Sequence, residues 1–222
     1  MKKYAVIVAG GSGLRMGTAT PKQFLLLNGK PVLWHTINAF ISTYIDINII
    51  LVLPKEHIEK GAAICGVFTQ QIDIVVGGVT RFDSVKNGLK LIKEEAVVFV
   101  HDGVRCLISK DLIERCYNQT VEIGSAIPAI AAIDSIRIVD NNEHQFVNRN
   151  NVKIIQTPQT FLSSILLPAF EQNYNESFTD EATVVEAFGI KIFLCEGDYN
   201  NIKITRPIDL LIAESILNTI IL

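Results

Sequence analysis

The sequence predicts an α/β fold, a mostly parallel central sheet flanked by helices. Three observations predict it. Short runs rich in β-branched residues are nearly all apolar, as strands covered on both faces are. The segments between them carry apolar residues at helical spacing. The two kinds of segment alternate, which implies right-handed strand–helix–strand crossovers.

Taken in order, residues 5–8, 47–53, 72–76 and 97–100 read as buried strands. Residues 32–40 read as a helix, and so does the stretch carrying Phe82, Val85, Leu89 and Ile92. The middle of the chain differs. Residues 134–140, the pair Asn141-Asn142 and residues 145–148 read as a polar hairpin with the asparagines at its turn. A two-stranded ribbon is seldom stable alone, so this arm, at about 134–150, is expected to lean on a second subunit. A helix over 207–217 opens on Pro207, where the missing N–H costs nothing. With no internal repeat or linker, residues 1–222 are expected to form a single domain.

Composition narrows the function. The chain has 222 residues, 49% of them hydrophobic, which suffices for a sizeable core. A net charge of -3 gives no global reason to bind nucleic acid or an anionic membrane. The four cysteines, Cys65, Cys106, Cys116 and Cys195, contain no Cys-x-x-Cys pair and have no histidine cluster beside them. Free thiols of a reducing compartment are therefore expected rather than a structural zinc. The apolar run at 4–9 is too short for a signal peptide and leads into glycines, and no run reaches membrane-spanning length. A soluble, cytoplasmic protein is the expectation.

Three turns carry the chemistry. The first, Ala9-Gly10-Gly11-Ser12-Gly13-Leu14-Arg15-Met16-Gly17, follows the first strand. Clustered glycines let backbone N–H groups approach a phosphate chain closely. A dinucleotide fingerprint starting at Gly11 fails, because Met16 stands where glycine is required. A P-loop fails as well, because the only Gly-Lys is followed by Pro31. Arg15 and Lys22, the latter in Pro21-Lys22-Gln23, flank the turn with positive charge, a sensible cradle for a triphosphate. The second turn, Gly77-Gly78-Val79-Thr80-Arg81-Phe82-Asp83-Ser84-Val85, follows another strand. Ligands gather beyond such strand ends, and here Gly77, Gly78 and Ser84 would meet a base edge. The third, His101-Asp102-Gly103-Val104-Arg105, offers a carboxylate for a metal or polyol hydroxyls and an arginine for a phosphate. Each turn taken singly also fits a plain structural role: a strand-to-helix connection for the first two, an Asp–Arg ion pair for the third. His101 reads as a packed histidine without an assigned role. Lys203, between apolar neighbours in an expected strand, needs an anion if it points inward. Residues 179–182 read also as a helix N-cap with acids in the first turn.

In order, Gly11-x-Gly13-x-Arg15-Met16-Gly17, Pro21-Lys22-Gln23, Gly77-Gly78-x-x-Arg81-x-x-Ser84-Val85, His101-Asp102-x-x-Arg105, Gln156-Thr157-Pro158-Gln159, Thr179-Asp180-Glu181-Ala182 and Asn201-Ile202-Lys203-x-Thr205-x-Pro207 span almost the whole chain. Together they resemble the 2-C-methyl-D-erythritol 4-phosphate cytidylyltransferases of the non-mevalonate isoprenoid pathway. The related ribitol-5-phosphate cytidylyltransferases share many of these blocks. The resemblance implies a Rossmann-like nucleotidyltransferase fold with a protruding β-arm, dimeric through that arm. It also implies CTP and a polyol phosphate as substrates, with Mg²⁺ coordinated mainly through the CTP phosphates and no metal ligands of the protein's own. By the same resemblance Arg15, Lys22 and Lys203 surround the reacting phosphates. Ala9, Gly10, Gly11, Gly13, Gly77, Gly78, Arg81 and Ser84 bind the nucleotide. Asp102, Arg105, Thr157 and Thr179 hold the acceptor, with Ser135 and Arg149 reaching across from the partner's arm. The chain departs from the family on the acceptor side. Cys106 replaces a usual proline, Asn148 an acidic residue, and Ser135 a threonine.

The acceptor's phosphate is already an anionic nucleophile at neutral pH, so no general base is needed. The barrier is electrostatic, and positioned cations are expected to lower it. A non-catalytic nucleotide-binding module is the alternative from another class. A nicotinamide oxidoreductase falls with the failed fingerprint.

Overall fold

In the computed structural model, residues 1–11, 20–70, 72–141 and 143–220 are described. In chain order the elements are β1 (Lys2–Val8), β2 (Leu26–Leu27), β3 (Lys30–Pro31), α1 (Val32–Thr43), β4 (Asn48–Leu53) and α2 (Ile58–Cys65). Next come β5 (Ile72–Val76), α3 (Arg81–Leu89), β6 (Ala96–Asp102), α4 (Lys110–Ile123), β7 (Ser125–Ala131), β8 (Ile136–Asp140) and β9 (Glu143–Val147). The chain continues through β10 (Lys153–Ile155), β11 (Gln159–Leu162), α5 (Ser163–Ala169), α6 (Glu181–Ala187), β12 (Leu194–Glu196) and α7 (Pro207–Ile220).

The main sheet has the order β10-β7-β11-β6-β1-β4-β5, with β12 paired to β7. Strands β6, β1, β4 and β5 are mutually parallel, whereas β10 and β11 run antiparallel to their neighbours. The alternation of β6 explains how both faces are covered. Val97 and Phe99 join the cluster that includes Leu33, Phe40 and Leu112. Val98 and Val100 join the other, with Val85, Leu166 and Phe170. Successive strand side chains point to opposite faces, so a nearly unbroken apolar run is what a sheet between two helix layers requires.

Register places the site. Val8 of β1 lies opposite Asp102 of β6 and Val52 of β4, and Leu53 lies opposite Val76 of β5. Four parallel strands therefore end at one edge, and the loops after them converge there. The chain leaves β1 toward β4 on one side and later returns to β6 on the other, so β1 marks the topological switch point where open α/β sheets bind ligands.

The helices start where local chemistry lets them. Thr80 caps α3 in a reciprocal box with Asp83, Ser109 caps α4, and Asp180 caps α6 in a box with Thr183. Gly124 ends α4 at a φ of 93°, the left-handed cap that glycine adopts without strain. β8 and β9 form a separate two-stranded ribbon, from Ile136 opposite Val147 to Asp140 opposite Glu143. Asn141 begins its turn at a φ of 44°. The ribbon leaves Val139 and Phe146 about 70% exposed, an apolar surface that the core does not cover.

One expected element is absent. Residues 201–205 are not a strand. Ile204 donates to the Val104 carbonyl and buries its side chain, while Lys203 turns out over Asp102. Alternation along an extended segment is what resembled a strand.

Candidate active site

The converging loops enclose a cavity of about 630 Å³, a size that suits a nucleotide. Its wall comprises Ala9, Gly10, Gly11 and Lys22 after β1, Lys55 and Glu56 after β4, Gly77 to Arg81 with Ser84 after β5, Asp102 at the end of β6, and Lys203. Sequence positions far apart thus meet in one place.

The turn after β5 is held locally. The Gly77 N–H donates to the Leu53 carbonyl at 2.8 Å, anchoring the turn to β4. The Gly78 N–H donates to the Ser84 hydroxyl at 3.0 Å, and that hydroxyl donates to the Thr80 carbonyl at 2.9 Å. A Cβ at Gly78 would lie 2.2 Å from the Asp83 Cβ, so only glycine lets the backbone pass.

Asp102 lies at the centre of a charged cluster. Lys203 Nζ is 2.8 Å from its carboxylate, and Arg81 and Arg105 each approach to 3.6 Å. Burial alone would raise its pKa, but Arg81, Lys203 and Arg105 together hold it well below the usual carboxylate range. Asp102 is an anion at any physiological pH. Arg81 also donates from both terminal nitrogens to Glu181, the Nη2 bond measuring 3.0 Å. Glu181 is wholly buried, and burial lifts its pKa against the pull of Arg81. The carboxylates in turn raise the pKa of Arg81 against its own burial.

Behind Asp102 the turn after β6 is built from distant segments. The Gly103 N–H donates to the Val8 carbonyl, Thr36 of α1 donates to the Gly103 carbonyl, and the Arg105 N–H donates to the Asp102 carbonyl. A Cβ at Gly103 would come within 2.9 Å of the Ala9 Cβ, so glycine lets the two loops touch. Arg105 Nη1 donates to the Asn201 carbonyl at 2.8 Å, and the Asn201 side chain donates to the Thr157 carbonyl at 2.9 Å. Cys106 is buried against Leu27, Val32 and Ile204, with its thiol pushed up to about 12 by burial. The turn is fixed by these bonds and this packing without a proline.

The structure brings Ala9, Gly10, Gly11, Lys22, Gly77, Gly78, Arg81, Ser84, Asp102 and Lys203 to the cavity wall. Arg105 and Thr157 lie directly behind Asp102. Gly13 and Arg15 lie outside the described residues. Thr179 is exposed just before the α6 cap and does not line the cavity. Ser135 and Arg149 are exposed at the arm and also do not line it, and Arg149 Nη1 donates to the Ile133 carbonyl at 2.6 Å. Lys55 is a cation on the wall that sequence reasoning missed. The signal was available, since Pro54-Lys55 follows the β4 strand as the other site turns follow theirs. Glu181 and Asn201 lay inside recognised motifs without a role, because their partners, Arg81 and Arg105, are about a hundred residues away.

A glycine turn, cations and a carboxylate at the strand ends of a mainly parallel sheet define an α/β nucleotidyltransferase. The profile of 2-C-methyl-D-erythritol 4-phosphate cytidylyltransferase (IspD) matches residues 4–219, and the chain belongs to that family of enzymes. The protein of that name from Azobacteroides pseudotrichonymphae is 46% identical over 220 residues, covering 98% of this chain and 99% of its own. That from Bacteroides fragilis is 44% identical over 219 residues, covering 98% and 100%. Among solved structures, 4-diphosphocytidyl-2C-methyl-D-erythritol synthase from Anaerococcus prevotii superposes with a TM-score of 0.84 at 30% identity, over 98% of each chain. The Francisella tularensis cytidylyltransferase gives 0.78 at 33%, over 97% and 99%.

Proposed function

We propose that the chain transfers the cytidylyl group of CTP to 2-C-methyl-D-erythritol 4-phosphate, forming 4-diphosphocytidyl-2-C-methyl-D-erythritol and pyrophosphate. Family membership supports the choice of substrates. The chemistry is supported by one observation above all, the meeting of Lys22, Lys203 and the glycine turns in a single cavity. An acceptor phosphate oxygen attacks the α-phosphorus, and the bond from that phosphorus to the bridging oxygen breaks as pyrophosphate leaves. Lys22 and Lys203, with Arg15 in the same role, stabilise charge that grows on the α-phosphate and the leaving group.

Base choice follows from hydrogen-bond inventory. A hydroxyl has one donor and two acceptor positions. Ser84 spends its proton on Thr80 and one acceptor position on Gly78, leaving one acceptor. That suits the amino group of cytosine and not the carbonyl that uracil carries there.

No group of three or more His, Cys, Asp or Glu among the described residues makes a metal site. Of the carboxylates on the wall, Asp102 is already surrounded by cations. These residues fit a Mg²⁺ carried by the triphosphate rather than by the protein. Such an ion, when bound, neutralises phosphate oxygens and draws charge toward the leaving group.

The exposed apolar side chains of the arm, and the position of Ser135 and Arg149 away from the cavity of their own chain, support a homodimer in which each arm completes its partner's site. Phe146→Asp should then yield monomers in sedimentation. Residues 1–222 act as one nucleotidyltransferase domain with the arm at about 134–150. No helix among the described residues is long and apolar enough to cross a membrane, and the expected setting is the cytoplasm.

The test is pyrophosphate release from CTP and Mg²⁺ with 2-C-methyl-D-erythritol 4-phosphate or ribitol 5-phosphate in parallel. Faster release with ribitol 5-phosphate would overturn the acceptor and keep the nucleotide chemistry. Lys22→Ala should lower kcat by about 10²–10³ while the fold persists, the scale for removing one preorganised charge. Near-normal turnover would remove Lys22 from the mechanism.

A further inference from the structure

His101 is wholly buried one residue before Asp102, its ring packed edge-on against Phe40 with centroids 5.2 Å apart. No substrate reaches it, yet both ring nitrogens are bonded. Nε2 lies 3.1 Å from the Arg105 carbonyl, and Nδ1 lies 3.0 Å from the Thr157 hydroxyl. A carbonyl only accepts, so Nε2 carries the proton and Nδ1 accepts from Thr157. The Thr157 oxygen in turn accepts from the Asp102 N–H at 3.1 Å. One imidazole thus joins three of the residues assigned to the acceptor. It sets the Thr157 hydroxyl against Asp102 on one side and the backbone of Arg105 on the other.

We propose that His101 is a positioning residue of the acceptor half-site, a neutral imidazole in the Nε2–H tautomer that fixes Asp102, Arg105 and Thr157 relative to one another. This rests on the assignment of the Asp102–Arg105 turn to the polyol phosphate. Burial supports the neutral form, lowering the pKa of His101 to about 4 despite the hydrogen bonds and the neighbouring Asp102. The glycine turn after β5 is held without His101. Gly78, Thr80 and Ser84 are bonded to one another, and Gly77 bonds the turn to β4.

The inference is tested by a split in kinetic constants. His101→Phe keeps the ring and removes both bonds. It should raise KM for 2-C-methyl-D-erythritol 4-phosphate by about tenfold to a hundredfold, the range for a catalytic constellation displaced by up to 1 Å. KM for CTP should stay within about twofold. His101→Asn restores an acceptor on the Thr157 side and should recover part of the loss. Equal changes in both KM values, or none, would overturn the proposal. Nitrogen NMR of the wild-type imidazole reads the geometry without any reaction. It should show Nε2 protonated and Nδ1 bare from pH 5 to 8, and Thr157→Val should shift Nδ1. An Nδ1–H tautomer or a titrating ring would overturn the proposal even if His101→Phe did not fold. If the wild type releases no pyrophosphate with the methylerythritol phosphate, the acceptor assignment fails, while the tautomer result still decides the role of the imidazole.

Discussion

The turns after β5 and β6 leave the same sheet edge and face the same cavity, yet they are held in different ways. The first is almost self-sufficient. Gly78, Thr80, Asp83 and Ser84 bond among themselves within seven residues, and a single backbone bond ties the turn to β4. The second owes its shape to distant segments. Val8, Thr36, Thr157 and Asn201 each hold part of it, and Glu181 holds the Arg81 that faces Asp102. A local turn keeps its form wherever the chain places it, which suits recognition of a base by backbone and hydroxyl groups. A turn assembled from several segments can hold charges that no single segment would tolerate.

The largest effect should come from breaking the assembled side. Glu181→Ala leaves the Arg81 guanidinium partly buried without its main partner, at a cost of about 3–5 kcal/mol. For a chain of this size the melting temperature should fall by roughly 10 °C, read by calorimetry. A fall of only a degree or two would show that the cluster holds Arg81 without Glu181.

Next is pH. His101 titrates near 6.5 when unfolded and at about 4 when folded. Between these values the unfolded chain binds the extra proton, so stability falls as pH falls from about 6.5 to 4. The loss should total about 3 kcal/mol, and Asp102, with its lowered pKa, should add to it only below about 4. Urea unfolding at pH 7 and pH 4.5 should show this slope in the wild type and a shallower one in His101→Phe. Equal slopes would mean that the buried ring is not neutral.

The smallest effect on stability and the sharpest on one substrate should come from the local side. Gly78→Ala forces the backbone away from Asp83 and should lower kcat/KM for CTP by about 10². KM for the acceptor should change little. If both substrates suffered alike, the two halves of the cavity would be mechanically coupled and the contrast between them would fail.

The contrast also explains what could be read in advance. The strands near 5–8, 47–53 and 97–100 were legible because burial on both faces writes itself into composition, whereas 72–76, expected to be buried, is an edge strand with Asp73 and Val76 exposed. Also legible were the glycine turn after β5 and the hairpin of the arm, whose signals lie within a few residues. Lys203 was misread as part of a strand because an extended segment with one backbone bond alternates as a strand does. Lys55 escaped although it follows β4 as the other site turns follow their strands, because no glycine cluster marks that turn.

The sequence by itself determined the α/β order, the glycine turn after β5 and the helix caps, since these depend on neighbours in the chain. Tertiary structure decided the surroundings of Asp102, the pairing of Arg81 with Glu181 and the tautomer of His101. The physical reason is that a buried charge or a buried ring nitrogen is settled by its partners in space. Here those partners lie as far as a hundred residues away and meet only when the sheet has formed.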